Sequence, residues 1–491
     1  MTDSLIPQFT GPYGDPFGST PTLDALASRG VVFENSYCNS PLCAPSRASI
    51  VTGRYVSQIG ALDNANEFSS EWPTIGHAMA AGGLEPVIAG KMHFVGHDQL
   101  HGFARRLALE TDYSTRYDPR FFTMAWSWEQ ESRGNPIGKH TMAPSYVRSE
   151  AWEYYPEHFL RDDETHRQSL AYLTQKTKTG EPFFLCASYH APHNPVWIAD
   201  DMKAPFRGKK LPIPLLKPGE DLVHGPMDRW LNTFHWVPEI ADTLNKPDNL
   251  QWMYETYYGM VYDLDRRIAE LLNLLEGAGV LDDTAVVVAS DHGDMLGDRG
   301  MVQKRYFYER SVRTPLIFAL PAKWRQGARV AGPISLLDLF PTFCDMVGVE
   351  PPRDLPGQSL LPSLTGDAEP DLRTIYGEYH GEGVHAPCFM AVEGHLKYIY
   401  VHGFEERLYN LEADPEEHIN LALSADWSFE TNRMRSKLLA HFDPDAIAKA
   451  ALASQRSRGA IYNYSKASGD LDRYFDTTQF ASLGQIREKA Q

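Results

Sequence analysis

The run Cys43-Ala44-Pro45-Ser46-Arg47-Ala48-Ser49-Ile50-Val51-Thr52-Gly53-Arg54 sets a thiol beside two helix-opening residues, with an arginine one turn further on. Pro45 and Ser46 start helices and Gly53 stops them, so the spacing predicts a helix whose N-terminus carries Cys43. Free N–H groups and the helix dipole favour negative charge there, and with Arg47 they suit a tetrahedral oxyanion. A second run, Ser290-Asp291-His292-Gly293-Asp294, follows the apolar segment Ala285–Val288. A carboxylate and an imidazole side by side at a strand's end can hold a divalent cation, and oxygen ligands with one nitrogen suit Ca²⁺ or Mn²⁺. Further fixed positive groups for an anion are offered by Lys91, His93, His193 and Lys304. Lys91 and His93 follow a buried strand and share a face by the strand period of two. Singly, each has a plainer reading as a core thiol, a capping aspartate, a solvated lysine or a loop histidine. Their coincidence in one chain points to chemistry.

These residues need a frame. Buried strands are predicted at Pro86–Ala89, Phe183–Cys186, Ala285–Val288 and Leu316–Phe318, alternating with helical patterns. The clearest helix is Leu250–Leu275, with Met253, Tyr257, Met260, Val261, Leu264, Ile268 and Leu271 near helical spacing. An earlier helix should run from a Thr20 cap, with Pro21 in its first turn, to a stop at Gly30. The alternation predicts an α/β fold: a large, mostly parallel sheet sandwiched by helices, with active residues at the carboxyl ends of strands. From about Thr374 close-set strands replace the alternation and predict a small antiparallel sheet. The expected divisions are an α/β catalytic domain over 1–370, a C-terminal α+β subdomain over 371–450 and an extended tail over 451–491.

The chain has 491 residues, 43% hydrophobic and 22% charged, enough for a large core. A net charge of −18 without basic runs excludes nucleic acid as a partner. Five cysteines in no spaced framework point to a reducing compartment, the cytoplasm. No apolar run reaches membrane-spanning length, so no membrane partner is expected.

The extended match at Cys43–Arg54 resembles the signature of the formylglycine-dependent sulfatases of the alkaline phosphatase superfamily. The resemblance continues at Asp291-His292 and at Leu408-Tyr409-Asn410-Leu411-Glu412-Ala413-Asp414-Pro415, so it spans nearly the whole chain to that point. It implies that Cys43 is oxidised by a maturation enzyme to formylglycine, and that Asp3, Cys43, Asp291 and His292 hold one divalent cation. It also matches Arg47, Lys91, His93, His193 and Lys304 to catalytic positions and Asn64 to a substrate-binding one. Many sulfatases carry two acidic residues at the first strand and Asp-Asn at the second. Here Asp3-Ser4 and Asp291-His292 stand instead. Asp-His resembles the choline sulfatase and phosphonate monoester hydrolase branches, and Asn39–Pro45, Asp63–Ala65, Gly90–Gly96 and Asp98–Phe103 resemble the former most closely. Thr111–Pro156 and the tail depart from it. Trp126 and Trp128 there offer an aromatic box for a quaternary ammonium, against a plainer core or interface role.

The resemblance implies hydrolysis of an alkyl or aryl sulfate ester, choline sulfate among the candidates, by a homo-oligomeric enzyme. One hydroxyl of the formylglycine hydrate attacks sulfur, and the other loses its proton so that sulfate leaves by C–O cleavage. His193 or Lys304 would protonate the leaving alcohol and His93 would take the second proton. The rivals are a phosphonate monoester or phosphodiester hydrolase of the same superfamily and a non-catalytic anion-binding protein, which would have lost the residues present here. If Asp3 ends the first strand, an apolar β-branched run is expected upstream of Met1, leaving room for a signal segment ahead of it.

Overall fold

The computed structural model describes residues 1–108, 110, 143–148, 157–214, 225–319, 321, 323–370 and 372–469. The α/β half is built on β1 (Gly30–Tyr37), β2 (Glu85–Gly90), β3 (Arg105–Arg106), β4 (Phe183–Ser188), β5 (Val286–Ala289), β6 (Arg313–Ala319) and β7 (Ala328–Ser335). These form two sheets, ordered β5-β6-β1-β7 and β3-β2-β4. The second is parallel throughout; in the first, β6 runs antiparallel to both neighbours and β7 parallel to β1. Consecutive residues such as Val31, Val32 and Phe33 are all buried, as strands covered on both faces require. The expected α/β sandwich is therefore present, with one strand reversed.

Helix Pro247–Gly277 buries Met253, Tyr257, Met260, Val261 and Leu264 and packs against helix Glu157–Thr179. In helix Pro21–Ser28 Leu23 and Leu26 face the core, but the capping differs from the expected one. The Thr20 hydroxyl accepts from Gly11 N–H at 2.7 Å, and the free Thr22 and Leu23 N–H groups donate to the Asp265 carboxylate, each at 3.0 Å. A carboxylate from another helix satisfies these donors more strongly than a local hydroxyl. The helix ends at Ser28, and Gly30 already belongs to β1.

Met1–Asp3 lie between the two sheets. Tyr189 N–H donates to Met1 O and Thr2 N–H to Ala289 O, each at 3.0 Å, and Thr2 forms a parallel bridge with Ser290. Next to them an apolar cavity of about 650 Å³ is lined by the edge strands β4 and β5, including Phe183, Leu185, Val286 and Val288.

The predicted C-terminal sheet comprises β8 (Ile375–Tyr379), β9 (Cys388–Glu393), β10 (Leu396–Val401) and β11 (Glu405–Asn410), antiparallel in the order β11-β10-β9-β8. The extended tail expected from Ala451 is instead helical through Ala467, within helix Pro444–Ala467. Its alanine-rich sequence favours helix despite a polar surface; residues 470–491 lie outside the described residues. Among the described residues no helix is long and apolar enough to cross a membrane.

Lys397 ties the small sheet to the α/β half. Fully buried, its ammonium contacts Glu309 Oε1 at 3.0 Å and Glu417 Oε1 at 2.9 Å. Burial, only partly offset by Lys397, pushes the Glu417 carboxyl up to about 7. Lys397→Ala leaves two buried carboxylates facing each other and is expected to cost about 3–5 kcal/mol of stability. Denaturant titration checks this: the midpoint should fall, and adding Glu309→Gln and Glu417→Gln should recover most of the loss. An unchanged midpoint for the single variant would show that the ion pairs are not structural.

Candidate active site

Helix Cys43–Thr52 follows extended Leu42, ends at left-handed Gly53 (φ 66°) and is buried along its whole length. Its first turn is pinned to the end of β5, where Ser46 Oγ donates to Asp291 O at 2.6 Å. Cys43 thus sits at a buried helix N-terminus, 2% exposed, where the strands ending at Ala289, Gly90 and Ser188 deliver their following loops.

Four groups converge there. One ligand atom from each of Asp3, Cys43, Asp291 and His292 lies within 4.8 Å of the others, and all four residues are buried. Cys43 Sγ is 3.2 Å from His292 Nε2 and 3.9 Å from Asp3 Oδ1, and His292 Nε2 is 3.6 Å from Asp291 Oδ2. His292 Nδ1 lies 2.9 Å from Gly293 O, which can only accept. Nδ1 therefore carries the proton and Nε2 turns toward the cluster, the arrangement of a metal-ligating imidazole. Ser4 adds no carboxylate; its hydroxyl donates to Asp3 Oδ1 at 3.1 Å and orients that side chain.

The charges are consistent with a cation. Burial raises the Asp3 carboxyl, but Lys91, His193 and Arg47 outweigh it and hold Asp3 well below the usual carboxylate range. Burial, reinforced by Asp3 against the pull of Arg47, pushes Asp291 up. Burial alone would lower His292, but Asp291 and Cys43 outweigh it and raise it. Two buried carboxylates and a thiol with a lowered pKa gather negative charge at the point where a divalent ion would meet it. Burial and Asp3 raise the Cys43 thiol; Lys304, Lys91 and His292 override them and bring it well below its ordinary value.

Positive groups surround the cluster. Arg47 Nε donates to Asp291 Oδ2 at 2.8 Å and Nη2 to Asp3 Oδ2 at 3.2 Å; Nη1 is held by Lys91 O and Ser188 Oγ. Lys91 Nζ is 2.8 Å from Asp3 Oδ2. Lys304 Nζ contacts His193 Nε2, and His193 Nδ1 lies 2.6 Å from Asn194 O. That carbonyl accepts from Nδ1, which leaves Nε2 facing Lys304 Nζ. Asn64 Oδ1 accepts from Ala44 N–H at 3.1 Å, beside Cys43. His93 is buried on the loop after β2 with left-handed backbone (φ 56°), and its N–H donates to Glu110 Oε2 at 2.7 Å. Trp126 and Trp128 lie outside the described residues.

His190 is not among the residues singled out from the sequence. The structure puts its Nδ1 3.4 Å from Lys91 Nζ, with its ring 4.6 Å from that of His193. Its place at the carboxyl end of β4 was the signal that would have found it.

Comparison with known proteins agrees with this geometry. A family model described as Sulfatase matches residues 1–349, and one described as N-sulphoglucosamine sulphohydrolase, C-terminal, matches 297–442. The chain is 33% identical over 463 residues to a choline-sulfatase of Rhizobium meliloti (strain 1021), covering 91% of this chain and 86% of the relative. It is 27% identical to an N-acetylglucosamine-6-O-sulfatase of Bacteroides thetaiotaomicron, over 87% of this chain and 82% of that one. A solved 2-O GAG sulfatase superposes with a TM-score of 0.70 at 25% identity, covering 92% of this chain and 91% of that one. A phosphonate monoester hydrolase from Silicibacter pomeroyi shares the fold, with a TM-score of 0.71 at 24% identity over 90% of this chain and 94% of that one. A buried cysteine at a helix N-terminus, set among two carboxylates, an imidazole and fixed cations, thus occurs in a chain that belongs to the sulfatase family and is a sulfuric ester hydrolase.

Proposed function

We infer that the enzyme hydrolyses an alkyl or aryl sulfate ester through a formylglycine made from Cys43, with one divalent cation, Ca²⁺ or Mn²⁺, held by Asp3, Cys43, Asp291 and His292. The observation that carries this reading is the convergence of those four buried ligand atoms around Cys43. When bound, the cation would supply Lewis acidity toward sulfate oxygens and toward a hydroxyl of the hydrated formylglycine at position 43.

The chain's own residues account for the remaining steps. Hydrated formylglycine carries two hydroxyls on the carbon that bears Sγ in unmodified Cys43. One attacks sulfur in line; the new O–S bond forms as the S–O bond to the alcohol breaks. Lys304 holds the proton shared with His193 and delivers it to the leaving alcohol, either directly or through the imidazole. Arg47 and Lys91 are fixed by Asp3 and Asp291 before substrate arrives, so their charge faces the developing sulfate without reorganisation. His93 takes the proton of the second hydroxyl, the C–O bond to sulfate breaks and the aldehyde returns. Asn64 keeps its amide N–H groups for a substrate oxygen, because its carbonyl is taken by Ala44.

Similarity to a choline-sulfatase makes choline sulfate the first ester to assay. The substrate would be a small anion, the protein partner a formylglycine-generating enzyme, and the assembly a homo-oligomer. Five free cysteines support the cytoplasm as its compartment.

Two measurements test the reading. Peptide mass spectrometry of active enzyme should show an aldehyde in place of the thiol at Cys43. A panel of choline sulfate, an aryl sulfate and a phosphonate monoester should give the highest kcat/KM on a sulfate. A thiol at full activity would overturn the mechanism; a clear preference for the phosphonate would favour the phosphonate hydrolase alternative.

A further inference from the structure

We propose that Arg458, on helix Pro444–Ala467, is a positioning residue that acts on the site through the Asp63-Asn64 loop. The helix begins after residue 442, where both family matches have ended. Arg458 nevertheless reaches across 395 positions to Asp63: Nη1 donates to Oδ1 at 2.8 Å and Nη2 to Oδ2 at 2.7 Å. Both side chains are buried, 8% and 1% exposed. Four residues earlier on the helix, Ser454 Oγ accepts from Asn66 Nδ2 at 2.8 Å. A planar guanidinium on both carboxylate oxygens fixes direction as well as distance, which an ammonium cannot do.

The loop held in this way carries Asn64. Its Oδ1 accepts from Ala44 N–H, and its own N–H donates to Glu382 Oε1 at 3.1 Å. Fully buried Glu382 is fixed in turn by Arg305, whose Nε donates to Oε2 at 3.0 Å and which directly follows Lys304. Asn64 is thereby clamped from two sides, by the C-terminal helix through Asp63 and by Glu382 through its backbone. Releasing one clamp lets the Asn64 amide move relative to Cys43. A displacement of about 1 Å at a reacting centre can lower the rate by about 10²-fold.

The inference rests on the sulfatase reading for its kinetic arm and has a second arm independent of it. Steady-state kinetics on a sulfate ester would compare wild type, Arg458→Lys, Arg458→Ala, Asn64→Ala and the Arg458→Ala/Asn64→Ala double variant, each with its cation content and Cys43 modification measured. The expected result is a fall in kcat/KM of about 10–100-fold for Arg458→Ala at unchanged cation and modification. Arg458→Lys should lie between, and the added effect of Arg458→Ala should shrink to under about 3-fold once Asn64 is alanine. Hydrogen exchange supplies the other arm: peptides spanning 43–52 and 61–68 should exchange faster in Arg458→Ala and, to a smaller degree, in Arg458→Lys, which serves if the alanine variant does not fold. Equal losses with and without Asn64, or unchanged exchange in both peptides, would overturn the proposal. If wild type fails to turn over sulfate esters but the exchange result holds, the sulfatase mechanism falls and the clamp stands.

Discussion

Asp291→Asn is expected to purify without a divalent cation and to turn over sulfate esters about 10³–10⁵-fold more slowly than wild type. The substitution keeps size and removes one charge from a cluster whose four ligand atoms lie within 4.8 Å. It also takes from Arg47 the carboxylate that holds its Nε at 2.8 Å, so an anion-binding group loses its direction along with the cation. Metal analysis of the purified protein reads the first effect and kcat/KM the second. A third reading needs no substrate. A cation that binds only the folded state at 100 times its Kd adds about 2.7 kcal/mol of stability, so thermal midpoints of wild type should rise on adding Ca²⁺ or Mn²⁺ while those of Asp291→Asn stay flat. Wild-type activity after exhaustive chelation, or a variant that keeps its ion, would remove Asp291 from the ligand set.

Cys43→Ala should lose more, about 10⁵–10⁶-fold in kcat, because it removes the attacking atom from a group of residues that act together. The helix should survive: alanine is the best helix former, and the first turn stays pinned by Ser46 and Asn64. Cation affinity should fall only in part, since Asp3, Asp291 and His292 remain. Ester cleavage by Cys43→Ala at more than about a thousandth of the wild-type rate would mean that the nucleophile lies elsewhere.

The strands read from sequence were those with unbroken apolar runs, Pro86–Ala89, Phe183–Cys186, Ala285–Val288 and Leu316–Phe318, because a sheet covered on both faces leaves no polar alternation. The strand Gly30–Tyr37 escaped notice because Glu34, Asn35 and Ser36 interrupt its apolar start. Ala328–Ser335 contains Gly332 and Pro333, which a strand tolerates only because it closes the edge of its sheet. Site residues were legible where a motif is local, as at Cys43–Arg47 and Asp291-His292. The Asp63–Arg458 and Arg305–Glu382 pairs have no such signature. Nothing in the spacing of a loop aspartate and an arginine 395 positions later predicts that they meet. The Lys304–His193 contact was likewise hidden, although each residue was chosen, because the two lie 111 positions apart and only folding brings them together.

The distance along the chain between the parts of the site also sets a clock. Cys43 ends up 2% exposed beside a loop fastened by Arg458, so on the proposed mechanism the finished protein offers little of it to a maturation enzyme. At synthesis rates of about 5–20 residues per second, the 395 positions from Asp63 to Arg458 correspond to about 20–80 s during which the fastening residue does not yet exist. On the proposed formylglycine mechanism, modification of Cys43 belongs to that interval. Chain refolded to completion before it meets the maturation enzyme should keep its thiol, whereas chain still emerging from the ribosome should acquire the aldehyde, so the order of translation, modification and closure decides whether a molecule is born active.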